Sequence, residues 1–187
     1  MFKLKLKLLY FKTYLYQIFN KMGVFPFEHY MYMANLAHEK KCKNILEIGT
    51  GLGLSTSSLL MVNKHANVTT IEKHPEILKK AKKNIFNICG DVSERLTMIN
   101  ERYFDWVDRY IAEPDFKKFD FIFLDAYVSR YNEVERLGKL LAGGGVFVVS
   151  NIRTDMPKSI MAKEELLYSG KYDFIKMLGD TVFVIKK

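Results

Sequence analysis

ILEIGTGLGLS, residues 45–55, is a short apolar run that leads directly into a glycine-rich turn. Hydroxyl side chains at 55–58 follow, and such residues favour the start of a helix. Glycine lets the backbone turn sharply and approach a ligand without a Cβ in the way. In open α/β sheets, ligands bind beside such turns, at the carboxyl ends of the strands. The stretch therefore predicts a buried strand, a ligand-binding loop and a helix.

From residue 42 onward, short apolar runs alternate with helical stretches. The expected strands are Asn44–Ile48, 68–71, Leu96–Ile99, Phe119–Leu124 and 146–149. Their Ile, Val, Leu and Phe content is typical of strands buried on both faces. At the end, Tyr172–Leu178 and Thr181–Lys186 flank a Gly-Asp pair, which predicts a hairpin. We expect an α/β fold: a Rossmann-like, doubly wound, mostly parallel seven-stranded sheet with an antiparallel C-terminal hairpin and helices on both faces.

Two helices between these strands have clear apolar stripes. The first, at 75–87, carries its lysines mostly opposite Ile77, Leu78, Ala81 and Ile85. The second has the stripe Tyr131, Val134, Leu137 and Leu141. Three glycines at 143–145 are expected to end the second helix and turn the chain into the next strand.

Length and composition exclude several classes of protein. The chain has 187 residues, 49% of them hydrophobic and 27% charged, which is ordinary for a folded domain and excludes a disordered chain. No apolar run approaches the roughly 20 residues that span a bilayer. The two cysteines, Cys42 and Cys89, are far apart and lack the spacing of a zinc site. A reducing cytoplasmic location is the simplest expectation.

Most of the positive charge lies in the N-terminal arm, defined here as residues 1–22. The net charge is +8, and five lysines with no acid supply +5 of it within the arm. The arm begins with alternating Lys and Leu, as in a strand with one apolar face. Its second half places Leu8, Phe11, Leu15, Ile18 and Phe19 at helical spacing. We expect a terminal helix that packs on the body or on a second subunit. An RNA-contacting arm and a membrane-surface helix remain alternatives.

Two kinds of cofactor compete for the glycine loop. A dinucleotide fingerprint has glycines at its first, third and sixth positions, but here they occupy the first, third and fifth, and Leu54 takes the sixth. An acid, Glu47, precedes Gly49 by two residues. A second acid, Glu72, ends the next strand, where a carboxylate accepts hydrogen bonds from both hydroxyls of a ribose. Glu72 does not distinguish the two cofactor classes, whereas the glycine spacing disfavours a dinucleotide.

The Glu-x-Gly-x-Gly-x-Gly pattern at 47–53 resembles motif I of class I S-adenosylmethionine (SAM)-dependent methyltransferases. The segment FDFIFLDAY at 119–127, with the later glycine run and Ser150-Asn151, is similar to a narrower group. This group is the cation-dependent O-methyltransferases, which include catechol and caffeoyl-coenzyme A O-methyltransferases. The resemblance covers roughly residues 24–187. It implies one methyltransferase domain over 23–187, and an enzyme that methylates an oxygen of a small molecule.

The resemblance also assigns roles to residues at the strand ends. The methionine end of SAM would be held by Glu47, Gly49, Gly51 and Ser55, with Thr50 and Gly53 in the same loop. The nucleoside would be bordered by Glu72, Lys73, Glu101, Arg102 and Tyr127. Asp125 would contact the cofactor and take part in catalysis. Together with Asn151, it would bind a divalent cation such as Mg²⁺.

Two positions depart from the pattern of this group. Ser150 stands where the group has Asp, which removes a carboxylate that a hard cation prefers. Val128 stands where many members carry a lysine, and it cannot move a proton. These departures leave open whether a cation binds. They also favour a phenol or a carboxylate over an aliphatic alcohol as the methyl acceptor. The polar candidates near the acceptor are Asp125, Arg130, Tyr131 and Asn151.

Several functions therefore compete at this stage. The leading hypothesis is a small-molecule O-methyltransferase. An RNA-modifying methyltransferase of the same fold is motivated by the basic arm, and a catalytically weakened cofactor-binding protein by Ser150 and Val128. An aminopropyltransferase ranks last, because the chain is short and lacks the amino-terminal sheet domain usual in that family. A homodimer formed through the apolar arm also stays open.

Overall fold

A seven-stranded sheet organises the chain in the computed structural model, which describes residues 2–19, 26–126, 130–153 and 155–187, and their side chains except at 2–3 and 16–19. The strands are β1 (Asn44–Ile48), β2 (Asn67–Ile71), β3 (Leu96–Ile99), β4 (Phe119–Leu124), β5 (Leu141–Val149), β6 (Tyr172–Leu178) and β7 (Thr181–Lys186). The helices are α1 (Phe2–Phe19), α2 (Phe27–Glu39), α3 (Leu54–Val62), α4 (Pro75–Cys89), α5 (Tyr103–Ala112), α6 (Arg130–Leu140) and α7 (Pro157–Tyr168).

The strand order is β3-β2-β1-β4-β5-β7-β6. The strands β1 to β5 pair in parallel, and β7 lies antiparallel between β5 and β6. This confirms the expected doubly wound sheet with its antiparallel hairpin. The strand order reverses beside β1, whose neighbours are β2 and β4, so the loops that follow β1 and β4 open into the crevice where such sheets bind ligands.

Helices cover both faces of the sheet, as expected. One face packs on α5, α6 and α7 through a core that includes Trp106, Val134, Leu166, Ile122 and Phe147. The other face packs on α2, α3 and α4 through Met33, Leu59, Ile85, Phe121 and Phe183. Of the five strands expected to be buried on both faces, β3 differs, because it is an edge strand and remains half-buried.

The glycine run at 143–145 does not separate α6 from the following strand, which corrects the expected boundary. Helix α6 ends at Leu140, and β5 begins at the next residue. Phe119 pairs with Leu141 but Phe121 pairs with Val146, so five residues of β5 lie opposite two of β4. The extra residues bulge out of the ladder, and glycine permits this conformation.

The N-terminal arm forms a helix from Phe2, although its first residues alternate Lys and Leu as in a strand. Its contacts with the body confirm the expected terminal helix: Leu6 and Leu9 are buried in a cluster with Tyr30 and Leu54. The face that packs is not the one the apolar spacing indicated, because Leu8, Phe11 and Leu15 are exposed. The side chains of Ile18 and Phe19 lie outside the described residues. Over the part of the chain described, no helix has the length and apolar character to cross a membrane.

Candidate functional site

Backbone hydrogen bonds continue past the strand ends and hold the candidate residues in a row. The N–H of Gly49 donates to Ile71 O at 3.0 Å, and that of Asp125 donates to Ile48 O at 2.9 Å. The N–H of Ser150 donates to Leu124 O at 3.0 Å. The tips of β1, β4 and β5 thus lie side by side at the carboxyl edge of the sheet, where the sequence predicted the site.

The three loop glycines have different surroundings although all have positive φ, at 99°, 52° and 84°. A Cβ on Gly49 would lie 2.4 Å from Asp125 O, and one on Gly53 would lie 2.7 Å from Ile85 Cγ1. A Cβ on Gly51 would meet nothing within 4 Å. Gly49 and Gly53 therefore permit close packing inside the protein, whereas Gly51 borders open space. The close helix packing that a dinucleotide fingerprint assigns to its third glycine falls here to Gly53.

Glu47 lies beneath the loop and is fully buried. Its Oε2 accepts hydrogen bonds from Thr56 Oγ1 at 2.5 Å and Thr70 Oγ1 at 2.6 Å. Since the Thr70 proton is used in that bond, Thr50 Oγ1 donates in the 2.6 Å contact between the two threonines. Burial raises the pKa of Glu47 to about 7, against the effect of the hydroxyl hydrogen bonds. Glu47 therefore ties the glycine loop to β2 and α3 from within the core.

Glu72 stands at the end of β2, beside the open part of the loop. Its Oε2 accepts a hydrogen bond from Gly51 N at 3.3 Å, and its Oε1 accepts one from His74 N at 3.0 Å. Asn100 Nδ2 donates to the carbonyl of Glu72 at 2.8 Å. The carboxylate is therefore held within reach of the space that Gly51 leaves open. Sequence reasoning did not find Asn100, although its position directly after β3 was a usable signal.

The residues expected around the adenine lie farther along the same edge, after β2 and β3. Glu101 makes a two-pronged ion pair with Arg109, with both N–O distances at 2.7 Å. The Arg102 guanidinium lies 4.8 Å from the centre of the Phe104 ring, and Lys73 is exposed. The structure thus brings these side chains to the expected edge. Tyr127 and Val128 lie outside the described residues.

Asp125, at the tip of β4, accepts two side-chain hydrogen bonds from the tip of β5. Ser150 Oγ lies 2.6 Å and Asn151 Nδ2 2.9 Å from Asp125 Oδ1. Burial raises the pKa of Asp125 to about 6, although the Ser150 hydrogen bond and the Arg130 charge oppose the shift. Asp125 and Asn151, the two residues expected to bind a cation, are therefore hydrogen-bonded to each other, and Ser150 is hydrogen-bonded to Asp125 as well.

Arg130, one of the polar candidates near the acceptor, begins α6, and its side chain turns inward and is buried. Its Nε donates to Ser150 O at 2.7 Å, and its Nη1 donates to the carbonyl of Ala126. Its guanidinium thus links the ends of β4 and β5. This positive charge favours the ionised form of Asp125.

The side chains of Asp125, Ser150 and Asn151 do not form a suitable ligand set for a divalent cation. Asp125 is the only carboxylate among the described residues of this hydrogen-bonded group, and hard cations prefer several oxygen ligands, some of them anionic. The Ser150 hydroxyl and the Asn151 amide direct protons at that carboxylate, and the charge of Arg130 acts on it. Among the residues that the structure describes, no three His, Cys, Asp or Glu side chains form a group able to hold a metal ion.

Tyr30, on α2, packs against Leu54 at the end of the glycine loop, and sequence reasoning missed it. It is buried, and desolvation raises the pKa of its hydroxyl, with the negative charges of Asp125 and Glu47 adding to the shift. Together with Met33, Phe123, Val148 and Phe183 it lines a small apolar cavity. No local motif marked Tyr30, because its proximity depends on how α2 packs.

Comparison with known proteins points to one family. The sequence model of a family described as O-methyltransferase matches residues 4–157. The protein-L-isoaspartate O-methyltransferase of Flavobacterium johnsoniae is 27% identical over 153 residues, which cover 80% of this chain but only 66% of that protein.

Solved structures show the same fold. The O-methyltransferase TomG of Streptomyces achromogenes, in complex with SAM, superposes with a TM-score of 0.75 at 20% identity, covering 95% of this chain and 89% of that one. The O-methyltransferase of Bacillus cereus, in complex with S-adenosylhomocysteine (SAH), has a TM-score of 0.70 at 20% identity, with coverages of 95% and 90%.

Proposed function

Since this chain belongs to the O-methyltransferase family, we propose that it transfers the methyl group of SAM to an oxygen of a small molecule, and that it does so without a divalent cation. The observation that carries the proposal is the glycine loop at Gly51. The loop borders open space there, and Gly51 N donates a hydrogen bond to the Glu72 carboxylate. A turn with no side chain at its centre lets a ligand lie against the backbone.

The residues at the loop suit a nucleoside attached to a sulfonium. Glu72 Oε2 lies at the loop and can accept hydrogen bonds from ribose hydroxyls, while its bonds to Gly51 N and His74 N keep it oriented. Asp125 supplies a second negative charge across the loop, which suits a positively charged ligand. The adenine would be bordered by Lys73, Glu101, Arg102 and Tyr127.

Glu47 acts in this proposal as a positioning residue. Its Oε2 already accepts hydrogen bonds from Thr56 and Thr70, and the side chain is fully buried. It therefore fixes the shape of the loop that Gly49, Thr50 and Ser55 form around the methionine end. Gly53 keeps α3 against α4, so that the start of the helix points at the ligand.

Bound SAM would supply an activated methyl group, so that the protein need only position the acceptor in line with the departing sulfur. Asp125 borders the acceptor in this proposal. Burial raises the pKa of Asp125 to about 6, which is still below neutral pH. An acceptor oxygen that ionises readily, such as a phenol or a carboxylate, requires little further help from a base.

Binding of SAH is the first test of this proposal. Isothermal titration calorimetry should give a dissociation constant in the micromolar range, about −8 kcal/mol. Absence of binding at millimolar SAH would overturn the assignment. If the protein bound NAD and did not bind SAH, the dinucleotide alternative would be restored.

Turnover is the second test. Release of SAH is followed with a panel of catechols, simple phenols and aromatic carboxylates, in the presence of either EDTA or Mg²⁺. We expect turnover of at least one acceptor at equal rates in the two conditions. A rate that requires Mg²⁺ would contradict the cation-independent mechanism, whereas SAH binding without any turnover would favour a cofactor-binding protein.

A further inference from the structure

Helix α1 carries an exposed apolar stripe that the fold does not use. The stripe, called the outer stripe here, consists of Leu4, Leu8, Phe11 and Leu15, spaced by four, three and four residues. Their exposed fractions are 64%, 56%, 58% and 38%. This spacing places all four side chains on one side of a helix. Contiguous exposed apolar surface of this kind marks an interaction site.

The opposite side of α1 already holds the helix on the protein. Leu6, Leu9 and Thr13 are buried, and Lys5 Nζ donates a hydrogen bond to Asn87 O on α4 at 3.2 Å. At 3.6 residues per turn these buried positions lie roughly opposite the outer stripe. The outer stripe therefore points away from the body, and it is accessible along the whole described part of the helix.

Positive charge borders the outer stripe on both sides. Lys7 lies one turn before Phe11 along one border, and Lys12 lies one turn after Leu8 along the other. Both lysines are exposed, and residues 1–22 contain no acid. An apolar stripe between two cationic borders is the pattern of helices that lie in the plane of a membrane surface. We propose that α1 docks this protein onto an anionic phospholipid surface, with the outer stripe among the acyl chains and the lysines at the headgroups.

The charge pattern favours lipid over a second copy of the chain. Packing two outer stripes together would bring Lys7 and Lys12 of both helices close, with no acid on either helix to pair with them. The apolar content likewise favours lipid over RNA, because RNA bases stack on aromatic rings and three of the four stripe residues are leucines. A bilayer with anionic headgroups satisfies both the charge and the stripe.

Vesicle binding tests this proposal, and it does not depend on methyl transfer. The full chain is sedimented with unilamellar vesicles of phosphatidylcholine alone, or of phosphatidylcholine with about 30 mol% phosphatidylglycerol. We expect binding to the anionic vesicles about tenfold or more stronger than to the neutral ones, and weaker as salt is raised.

Two variants separate the apolar from the electrostatic contribution. Leu8→Ser with Phe11→Ser should weaken binding to the anionic vesicles about tenfold or more, and Lys7→Gln with Lys12→Gln should remove most of the preference for anionic lipid. The matched control, Tyr168→Ser with Phe174→Ser, removes large side chains that are 79% and 56% exposed on other elements, and it should bind like the unaltered chain. Circular dichroism and thermal unfolding verify that each variant is folded.

The other outcomes overturn the proposal. If the full chain binds no vesicles, or if the control weakens binding as much as the outer-stripe variant does, α1 is not a membrane-docking helix. A concentration-dependent dimer in analytical ultracentrifugation, lost on Leu8→Ser with Phe11→Ser while vesicle binding is absent, would assign the outer stripe to a second copy. Salt-dependent RNA binding lost in the lysine variant, again without vesicle binding, would assign the lysines to nucleic acid.

Discussion

The Ser150 hydroxyl donates a 2.6 Å hydrogen bond to Oδ1 of Asp125, and the two residues face each other across the ends of β4 and β5. Asn151 donates to the same oxygen at 2.9 Å. A carboxylate that is satisfied by two protein donors has less need of a cation. The serine therefore does more than omit a ligand, because its proton occupies an oxygen that a metal ion would otherwise share.

Replacing Ser150 by Asp should make the stability of the protein respond to divalent cations, a response that we do not expect of the unaltered chain. The new carboxylate would be buried beside Asp125, and an uncompensated buried charge costs on the order of 3 kcal/mol. At this chain length the melting temperature falls by roughly 6–12 °C. About 10 mM Mg²⁺ should recover much of that loss, because two carboxylates and an amide suit the ion.

Differential scanning fluorimetry with EDTA or Mg²⁺ checks this prediction. Ser150→Ala is the matched control, since it removes the same hydrogen bond without adding charge. Neither it nor the unaltered chain should respond to Mg²⁺. A melting temperature of the unaltered chain that rises with Mg²⁺ would show that the existing residues hold the cation after all.

Alanine at Gly49 should act mainly on stability, whereas alanine at Gly51 should act mainly on ligand binding. At Gly49 a Cβ would lie 2.4 Å from Asp125 O at a φ of +99°, so Gly49→Ala should cost roughly 3 kcal/mol or more. At Gly51 the φ is +52° and no neighbour lies within 4 Å, so the fold should lose only about 1 kcal/mol. The methyl group would instead enter the open space beside Glu72, and SAH affinity should fall on the order of tenfold or more.

Urea unfolding and calorimetry with SAH separate these two effects. Each substitution serves as the control for the other, because both place the same methyl group on the same loop. If Gly51→Ala binds SAH normally, the ligand does not lie against the middle of the loop.

The strands and the glycine loop could be predicted because their signals are local. Runs such as Phe119–Leu124 are apolar throughout, and a buried strand requires little more. The separate roles of the three glycines could not be predicted. The atoms that exclude a Cβ at Gly49 and Gly53, such as those of Ile85 for Gly53, belong to other elements, and Gly51 has no such neighbour. The same holds for Tyr30, which reaches the site only through the packing of α2.

For the N-terminal arm, the helix could be predicted from the sequence, but the face that is buried could not. Its apolar spacing indicated the helix, but two apolar stripes of similar strength run along it, one through Leu6 and Leu9 and one through Leu8 and Phe11. Which stripe is buried depends on the surface that Leu54 and Tyr30 present. Periodicity alone could not choose between the two.

Glu72→Gln should weaken SAH binding while leaving the fold nearly intact. A hydrogen bond between a ribose hydroxyl and a charged carboxylate contributes about 1.5–3 kcal/mol, so affinity should fall about 10- to 100-fold. The amide oxygen can replace only one of the two carboxylate oxygens that accept from Gly51 N and His74 N. The variant should therefore lose only about 1 kcal/mol of stability. Calorimetry measures the affinity, and Glu94→Gln, an exposed glutamate elsewhere, is the control. Equal affinities of the two variants would remove Glu72 from the ribose site.

Glu47→Gln should change how stability depends on pH. Burial raises the pKa of Glu47 from 4.5 to about 7, so between those values the unfolded chain ionises while the folded chain keeps its proton. The stability of the unaltered protein should therefore fall as pH rises from about 4.5 to about 7, by on the order of 3 kcal/mol from this group, and change little above that range.

Gln cannot ionise and can still accept hydrogen bonds from Thr56 and Thr70. Urea unfolding at about pH 4.5, 6 and 8 should show the Gln variant gaining on the unaltered chain as pH rises, whereas Glu94→Gln should follow the unaltered chain throughout. Parallel stability profiles for Glu47→Gln and the unaltered chain would mean that Glu47 is ionised in the folded protein across this range, with its charge balanced by a partner other than the threonines.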